Sequence, residues 1–493
     1  MLAARTLGTC CDPSHWLAVA LERVASGNTA GTAVEEMSST PSPNAPNEAT
    51  VSAGRRAGAL VALSSLLRGA SVGRGWTPTD AQLSSLAATL AAAEVRGDSS
   101  NAVRTQMLSV AANACSAVAG SAAVSPLAEA DLVRVLLQLR CASPAEHATG
   151  TLGGGARQGR DSALAGGASA ALAQLGGGDE AVVLRRTAER VLCTVEPSCA
   201  SWEATSPDAC VFWEMLRSCP GDALASLAPR MLRMLETCTA NADNAPAIRI
   251  AALRELDALA ESSARGAECL AASVGDNVNR ETACERAIRA VAGPALIWKV
   301  GKTAAAVRHS ACVCLGTLLR VGNLDANVLG RVVEDDMFYP GAGKLLPLMF
   351  GAMDEDWYHD TRLAACDALE SLVRASGRVW SENAKRATYP EITKRLDDAN
   401  GGVRASAARL LLAFVEACCP NYDSTNVGYL VEGVLVHMDD ADDAIAVTVC
   451  DALCVLAAHG GHSSIVVKAV SGAKERHRRV RLCEKVLQQA ASA

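Results

Sequence analysis

The sequence predicts an all-α fold, a solenoid of stacked helical hairpins, and three observations predict it. The chain has 493 residues, whereas a single globular core usually stops growing at about 250–300 residues. Half of the residues are hydrophobic but only 3% are aromatic, so we expect a core of Ala, Leu and Val between closely packed helices. A helical pattern also recurs seven times along the chain, which indicates a repeat array.

The recurring pattern is clearest in the segment that begins at Val403. Its apolar residues fall at positions i, i+4, i+7, i+8 and i+11, namely Val403, Ala407, Leu410, Leu411 and Phe414. This spacing places all of them on one face of an α-helix. The other six copies begin at Val103, Leu184, Ile248, Val307, Thr361 and Ile445. Each copy predicts the second helix of a repeat.

A first helix precedes several of these segments, separated from them by a short and usually acidic turn. These first helices are predicted at residues 227–238, 345–353, 389–396 and 429–438. The repeat is therefore a helix, a turn and a helix. Its period, 42 residues between Arg362 and Arg404, is that of HEAT-type repeats. The predicted fold is thus an α-solenoid of HEAT/armadillo-like helical hairpin repeats.

An Asp precedes an Arg by six residues at the start of five second helices, and we call these residues the ladder. The pairs are Asp98/Arg104, Asp179/Arg185, Asp243/Arg249, Asp356/Arg362 and Asp398/Arg404. A sixth copy has Arg308 with Lys302 at the Asp position, and the last keeps Asp440 but has Ala446 instead of Arg. Because the Asp lies in the turn, we expect stacking to bring it near the Arg of a neighbouring repeat. Exposed pairs contribute only ~0–1 kcal/mol, so the ladder is predicted to set register, while buried apolar faces provide stability.

Composition suggests three regions. Residues 1–56 are predicted to form a short helix and a flexible Pro/Ser-rich segment. Residues 57–290 are predicted to form HEAT-like repeats with a Gly-rich insertion near 143–178, which we expect to be a loop. Residues 291–493 are predicted to form further HEAT repeats that end in a terminal cap helix.

Charge and motifs disfavour several classes of function. The net charge of −7 gives no broad attraction for phosphate backbones, so nucleic acid is not an expected partner. No stretch of about 18 apolar residues is free of charge, so no membrane span is expected. The first 25 residues contain no continuous apolar run, which argues against a targeting peptide and favours a cytoplasmic location.

Motifs for catalysis and cofactor binding are not found either. Gly301-Lys302-Thr303 resembles the end of a phosphate-binding loop, but Leu296 stands where that loop needs Gly. The cysteines lack zinc-site spacing. We therefore predict no enzyme activity, catalytic residue, cofactor, metal or small-molecule substrate.

Two charged features could bind a protein partner. The first, which we call the acidic ridge, is a set of turn residues that stacking would align: Asp354, Glu355, Asp356, Trp357, Tyr358, Asp397, Asp398, Asp439 and Asp440. Helix capping and solubility explain its acids more simply than docking does, although Trp357 and Tyr358 favour docking locally. The second is the basic run at 474–481, which opens the last helix and is more typical of a solvated cap than of a site for an acidic partner.

Four blocks between residues 294 and 490 carry a family resemblance. They are LIWKVGKTAAAVRHSACVCLGTLL from Leu296, YPEITKRLDDANGGVRASAARLLLAF from Tyr389, YLVEGVLVHMDDADDAIAVTV from Tyr429 and HRRVRLCEKVLQQA from His477. In order and spacing they resemble the C-terminal half of the dynein axonemal assembly factor 5 family. Members of that family are considerably longer at the N-terminus.

The resemblance implies a cytoplasmic HEAT-repeat scaffold for the preassembly of outer and inner dynein arms, in cells with motile cilia or flagella. Its implied partners are axonemal dynein heavy and intermediate chains, chaperones and other assembly factors, and the family offers no catalytic residues to transfer. The alternative is a generic HEAT adaptor, such as a nuclear transport receptor or a phosphatase scaffold, because the fold is shared.

Overall fold

The computed structural model describes most of the chain. The described residues are 13–26, 48–71, 78–92, 95, 100–118, 125–141, 162–203, 206–240, 244–274, 281–334, 344–356 and 358–492. Three of the predicted site residues, Asp98, Asp243 and Trp357, lie outside these ranges. The described residues divide into two compact units, Met1–Met234 and Leu235–Ala493. Residue 291, where the third predicted region begins, lies inside the second unit.

Helices make up the described part of the first unit. They are α1 (Pro13–Ser26), α2 (Glu48–Ser71), α3 (Asp80–Ala91), α4 (Asn101–Val118), α5 (Pro126–Arg140), α6 (Ser162–Leu175), α7 (Glu180–Val195) and α8 (Pro207–Ser218), and α9 (Gly221–Ala240) crosses into the second unit. Helices α2, α4 and α6 pack side by side, and α5 contacts α3, α6, α7 and α8. This is the two-layered packing of stacked hairpins.

Two stretches expected to be irregular are helical in the first unit. Helix α2 begins at Glu48, inside the predicted flexible segment. Helix α6 occupies the second half of the predicted Gly-rich loop, so the expectation of a loop is wrong for those residues. The reason is local: Leu164, Ala168 and Leu172 recur at helical spacing and are buried against neighbouring helices.

The second unit contains the most regular repeats. Its helices are α10 (Pro246–Glu261), α11 (Ser263–Leu270), α12 (Ala283–Arg286, continued by Ala287–Ala292 and Gly293–Ala295), α13 (Lys302–Val321), α14 (Ala326–Glu334), α15 (Leu345–Met353), α16 (His359–Ser376), α17 (Glu382–Leu396), α18 (Gly401–Cys418), α19 (Ser424–Leu435), α20 (Asp443–Ala458), α21 (Ser463–Ala473) and α22 (Val480–Ser492). One layer is formed by α10, α13, α16, α18, α20 and α22, each packed on the next. Helices α15, α17, α19 and α21 form the other layer. The fold is an all-α solenoid of HEAT/armadillo-like hairpins, as the periodicity predicted.

Helix α18 shows how the sequence produces such a hairpin. The Asn400 side chain accepts hydrogen bonds from the amides of Gly402 and Val403, and so caps the helix N-terminus. The apolar stripe that begins at Val403 is buried between α16, α17 and α20. Cysteines join this core as small apolar residues: burial raises the pKa of the Cys366 thiol on α16 to about 12, which keeps it protonated.

One described helix, α13, is long and apolar enough to cross a membrane by length and composition. In the structure 67% of its apolar window is buried. It packs between α10 and α16. The expectation that the chain has no membrane partner stays a prediction.

Candidate functional site

The candidate site is the set of turns between first and second helices in the second unit, where the ladder and the acidic ridge coincide. Arg362 on α16 donates from Nε to Asp398 Oδ2 at 2.7 Å and from Nη2 to Oδ1 at 2.9 Å. Its Nη1 donates to the backbone carbonyl of Glu355 at 2.8 Å. One guanidinium therefore binds the turn of its own repeat and the turn of the next, with the planar geometry of a bidentate pair.

The same arrangement recurs one repeat later. Arg404 on α18 donates from Nε to Asp440 Oδ2 at 3.0 Å and from Nη1 to the Asp398 carbonyl at 3.0 Å. Each acid is also fixed by its own turn, since Asp398 accepts from the Asn400 amide and Asp440 from the Asp442 amide. Asp398 and Asp440 thus connect successive repeats and shape the turns in which they lie.

Arg308 shows where counting along the sequence fails. Its carboxylate partner is Glu355, with Nε 2.9 Å from Oε2, while the expected ladder acid Asp356 is exposed. The amides of Glu355 and Asp398 each donate to the carbonyl three residues earlier, and both residues lie two positions beyond the end of the first helix. The position of the acid is therefore set by the end of the first helix. The turn before α16 is one residue longer, so counting back from the second helix selects Asp356 in error.

The remaining ladder residues have other environments. In the first unit Arg185 pairs with Asp222, on the first turn of α9, which is not one of the predicted ladder acids. Asp179 instead caps α7, accepting from the Ala181 amide at 2.9 Å. Arg104 is half-buried on α4. In the second unit Arg249 donates to the Thr239 carbonyl at 3.0 Å, and burial lowers the pKa of its guanidinium.

Most acids of the ridge are engaged within the repeat array. Asp354 binds Lys394 at 2.5 Å and Arg395 at 2.8 Å. Asp439 accepts the amides of Arg478 and Arg479, each at 3.1 Å. Two exposed ridge acids, Asp356 and Asp397, have no ion pair with the described residues, and Tyr358 is half-buried just before α16. The ridge as a docking surface stays a prediction, with little unpaired charge to support it.

The basic run near the C-terminus contacts the acidic turn at residues 439–443. Arg479 donates from Nη2 to the Asp440 carbonyl at 2.7 Å and pairs through Nη1 with Asp443 at 2.6 Å. Arg404 makes the same kind of bond to the backbone carbonyl of Asp398. An Arg in place of Ala446 would be expected to bind the Asp440 carbonyl in the same way. Arg479 therefore replaces the missing ladder Arg from the turn just before α22. The run of basic residues opposite an acidic turn was the available signal for this pairing.

Ionisation in these turns is set by opposing effects. Burial pushes the pKa of Asp398 upward, but hydrogen bonds from Arg362 and from the Asn400 amide outweigh it and hold that pKa below its ordinary range. Burial likewise opposes ionisation of Asp439, and the amides of Arg478 and Arg479 outweigh it, so its pKa is also lowered. Both carboxylates are charged at neutral pH and are integral to the fold.

Across the part of the chain that the structure describes, no group of three or more His, Cys, Asp or Glu side chains could hold a metal ion. What the turns can do is fix the register of the helices and present the side chains that lie between them.

The chain is similar in sequence to known proteins of one name. No family model matches it. It is 27% identical over 298 residues to dynein axonemal assembly factor 5 of Homo sapiens, which covers 60% of this chain and 32% of the relative. It is 30% identical over 209 residues to the Mus musculus protein of the same name, which covers 41% of this chain and 23% of the relative. The predicted resemblance is confirmed, and the chain spans about a third or less of the length of these curated relatives.

Solved structures with some likeness include repeat proteins and engineered proteins. An engineered protein is 14% identical, with a TM-score of 0.43, and covers 89% of this chain and 95% of its own. A HEAT-like repeats protein from Thermococcus onnurineus NA1 is 13% identical, with a TM-score of 0.35, and covers 61% of this chain and 97% of its own.

Proposed function

We propose that this chain is a non-enzymatic HEAT-repeat scaffold for the cytoplasmic preassembly of outer and inner axonemal dynein arms. In this role it binds axonemal dynein heavy or intermediate chains, together with chaperones or other assembly factors, and supports motile cilia or flagella. The observation that carries the proposal is the similarity to dynein axonemal assembly factor 5 in two mammals. The repeat architecture supports it, because stacked hairpins offer long surfaces for protein partners.

The test is capture of dynein chains from cells that build motile flagella. A tagged copy of the chain is expressed in such cells in place of the endogenous protein, and the proteins that co-purify are quantified from the cytoplasmic fraction. Dynein heavy and intermediate chains should be enriched over an unrelated HEAT-repeat protein carrying the same tag. Enrichment of nuclear-transport cargo or of phosphatase subunits without dynein chains would instead favour the generic adaptor.

A second measurement separates binding from assembly. Cells that lack the protein should build axonemes with reduced outer and inner arms, which electron microscopy of axoneme cross-sections measures. Re-expression of the wild-type chain should restore the arms. Normal arms in the deletion strain would contradict the proposal even if dynein chains co-purify.

A further inference from the structure

An apolar patch lies on the segment that joins α12 to α13 in the second unit. Ile297, Trp298 and Val300 are all exposed there, Trp298 to 59% and Val300 to 75%. Single exposed apolar residues are ordinary, but three within four consecutive positions concentrate apolar surface in one short segment, and exposed apolar patches are typical of interaction sites. We call residues 297–300 the tryptophan loop.

The tryptophan loop is held in place by the ladder. The guanidinium of Arg308 lies 5.8 Å from the centroid of the Trp298 ring, within the range of a cation–π contact. The same Arg308 donates from Nη1 to the carbonyl of Lys299 at 2.7 Å and is itself fixed by Glu355. The loop therefore presents its indole ring from a backbone that is already ordered, which lowers the entropy cost of binding.

The backbone on either side completes this support. The amides of Leu296 and Ile297 donate to the carbonyls of Gly293 and Pro294, which continues α12 up to the loop. On the other side Gly301 has φ +107, in the left-handed region that favours glycine, and its carbonyl accepts from Ala305 as α13 begins. The exposed side chains thus project from a short segment held at both ends.

Charge around the loop selects the kind of partner. Lys299 and Lys302 are both exposed, and neither forms an ion pair with the described residues. Arg308 is neutralised by Glu355, and the exposed Asp356 stands on the turn beside Glu355. The apolar patch therefore carries a surplus of positive charge, although the chain as a whole has a net charge of −7.

We propose that the tryptophan loop is a docking site for an acidic peptide segment with an aromatic or aliphatic anchor, which packs on Trp298 and Val300 while its carboxylates pair with Lys299 and Lys302. Aromatic side chains on an ordered surface are the usual anchors of protein interfaces. The surrounding lysines add attraction and orientation for an acidic segment. This site rests on the proposed scaffold function only in that a scaffold needs docking sites.

Selection from a peptide library tests the chemistry without knowledge of the natural partner. The full chain is immobilised and exposed to random 12-residue peptides displayed on phage, after counter-selection on the Trp298→Ala/Val300→Ser variant. Enriched peptides should combine Asp or Glu with at least one large apolar residue. Peptides that are basic or uncharged, or the failure of any peptide to discriminate the variant, would overturn the proposal.

The most enriched peptide is then synthesised with a fluorescent label and titrated with the full chain. Fluorescence anisotropy should show at least about tenfold weaker binding to Trp298→Ala, and weaker binding to Lys299→Glu/Lys302→Glu that depends less on salt. The matched control is Val436→Ser, since Val436 is an exposed apolar residue directly after α19 in the same unit. Equal binding to the control and to Trp298→Ala would contradict the assignment.

Two further measurements keep the result specific. Val300→Ser alone, at a largely exposed position, should weaken binding with an unchanged thermal midpoint, so that misfolding does not explain the loss. If sedimentation shows instead that the wild type self-associates through Trp298, a second copy is the occupant and the proposal is wrong. Dynein chains captured equally well by wild type and Trp298→Ala would leave the scaffold function standing while removing dynein chains as the ligand of this loop.

Discussion

The two units contain arginine–carboxylate pairs at hydrogen-bonding distance in different surroundings. In the second unit the side chains of Arg308 and Glu355 are each only 1% exposed. In the first unit Arg185 and Asp222 approach to 2.7 Å, yet their side chains are 49% and 57% exposed. Water screens the attraction in the exposed pair, whereas the attraction in a buried pair is screened much less. A buried charge also depends on its partner, because without it the charge is left unpaired away from water. The comparison shows that short distances alone do not measure what a ladder pair contributes.

The largest expected effect comes from removing one partner of the buried pair. Glu355→Ala leaves the Arg308 guanidinium buried without its carboxylate, which should destabilise the second unit by about 3–5 kcal/mol. Hydrogen exchange of the amides of α13 and α16 measures this as a lower free energy of opening. The double variant Arg308→Met/Glu355→Met, which buries no charge, should recover much of the loss. Unchanged hydrogen exchange in Glu355→Ala would show that burial does not increase the contribution of this pair to stability.

Two adjacent acids offer a matched test of burial at one turn. Asp398→Asn removes a charge that Arg362 binds, and should cost about 1–3 kcal/mol of opening free energy in α16 and α18. Asp397→Asn changes an exposed neighbour and should stay within about 0.5 kcal/mol of wild type. Charge reversal at both positions is therefore expected to weaken repeat stacking more than partner binding. Unchanged hydrogen exchange together with lost partner capture would make Asp398 a binding residue instead.

At low pH the stability difference between wild type and Asp398→Asn should disappear. Its pKa is lower in the folded state than in the unfolded chain, where it is about 3.9. The stabilisation it provides is therefore complete above that unfolded value and is lost as the pH falls through the folded pKa. The gap in opening free energy between wild type and Asp398→Asn should be constant from about pH 5 to pH 7 and shrink below about pH 4. A gap that is independent of pH would contradict this account.

The smallest effect is expected at the exposed pair of the first unit. Hydrogen bonding to Asp222 raises the pKa of Arg185, but the solvent around both side chains offsets the gain. Arg185→Gln should leave hydrogen exchange of α7 and α9 at the wild-type rate in moderate salt. A marked destabilisation that persists at high salt would mean that exposure does not separate the two kinds of pair.

The fold could be predicted from the sequence because its signal is local. The stripe that begins at Val403 is visible within twelve residues, and the helix it predicts is present and buried. Pairing was harder, because Arg362 and Asp398 lie on different hairpins and meet only after stacking. The six-residue spacing between Asp and Arg correctly identified the pairing acids Asp398 and Asp440. It failed at Glu355, because the turn there is one residue longer.

Two further pairing residues, Asp222 and Arg479, lie outside the predicted ladder pattern. Asp222 lies in a helix and not in a turn, so it does not match the turn position of the ladder acids. Arg479 replaces an absent Arg from 33 positions beyond Ala446, on a segment that the pattern does not include. Local periodicity gives the helices, whereas turn lengths and the stacking of neighbours decide which charges meet.

The hydrogen bonds from the ladder arginines to main-chain carbonyls do not depend on which residues form the turn. Arg362, Arg404 and Arg308 each donate to a main-chain carbonyl of the preceding turn, and Arg249 makes a bond of the same kind to Thr239. Every amino acid supplies a carbonyl, so substitutions in the turn leave this acceptor intact. The arginines should therefore persist in distant homologues while the acids move along the turn or disappear. An inventory of repeats in diverged sequences is better anchored on the arginine than on the aspartate.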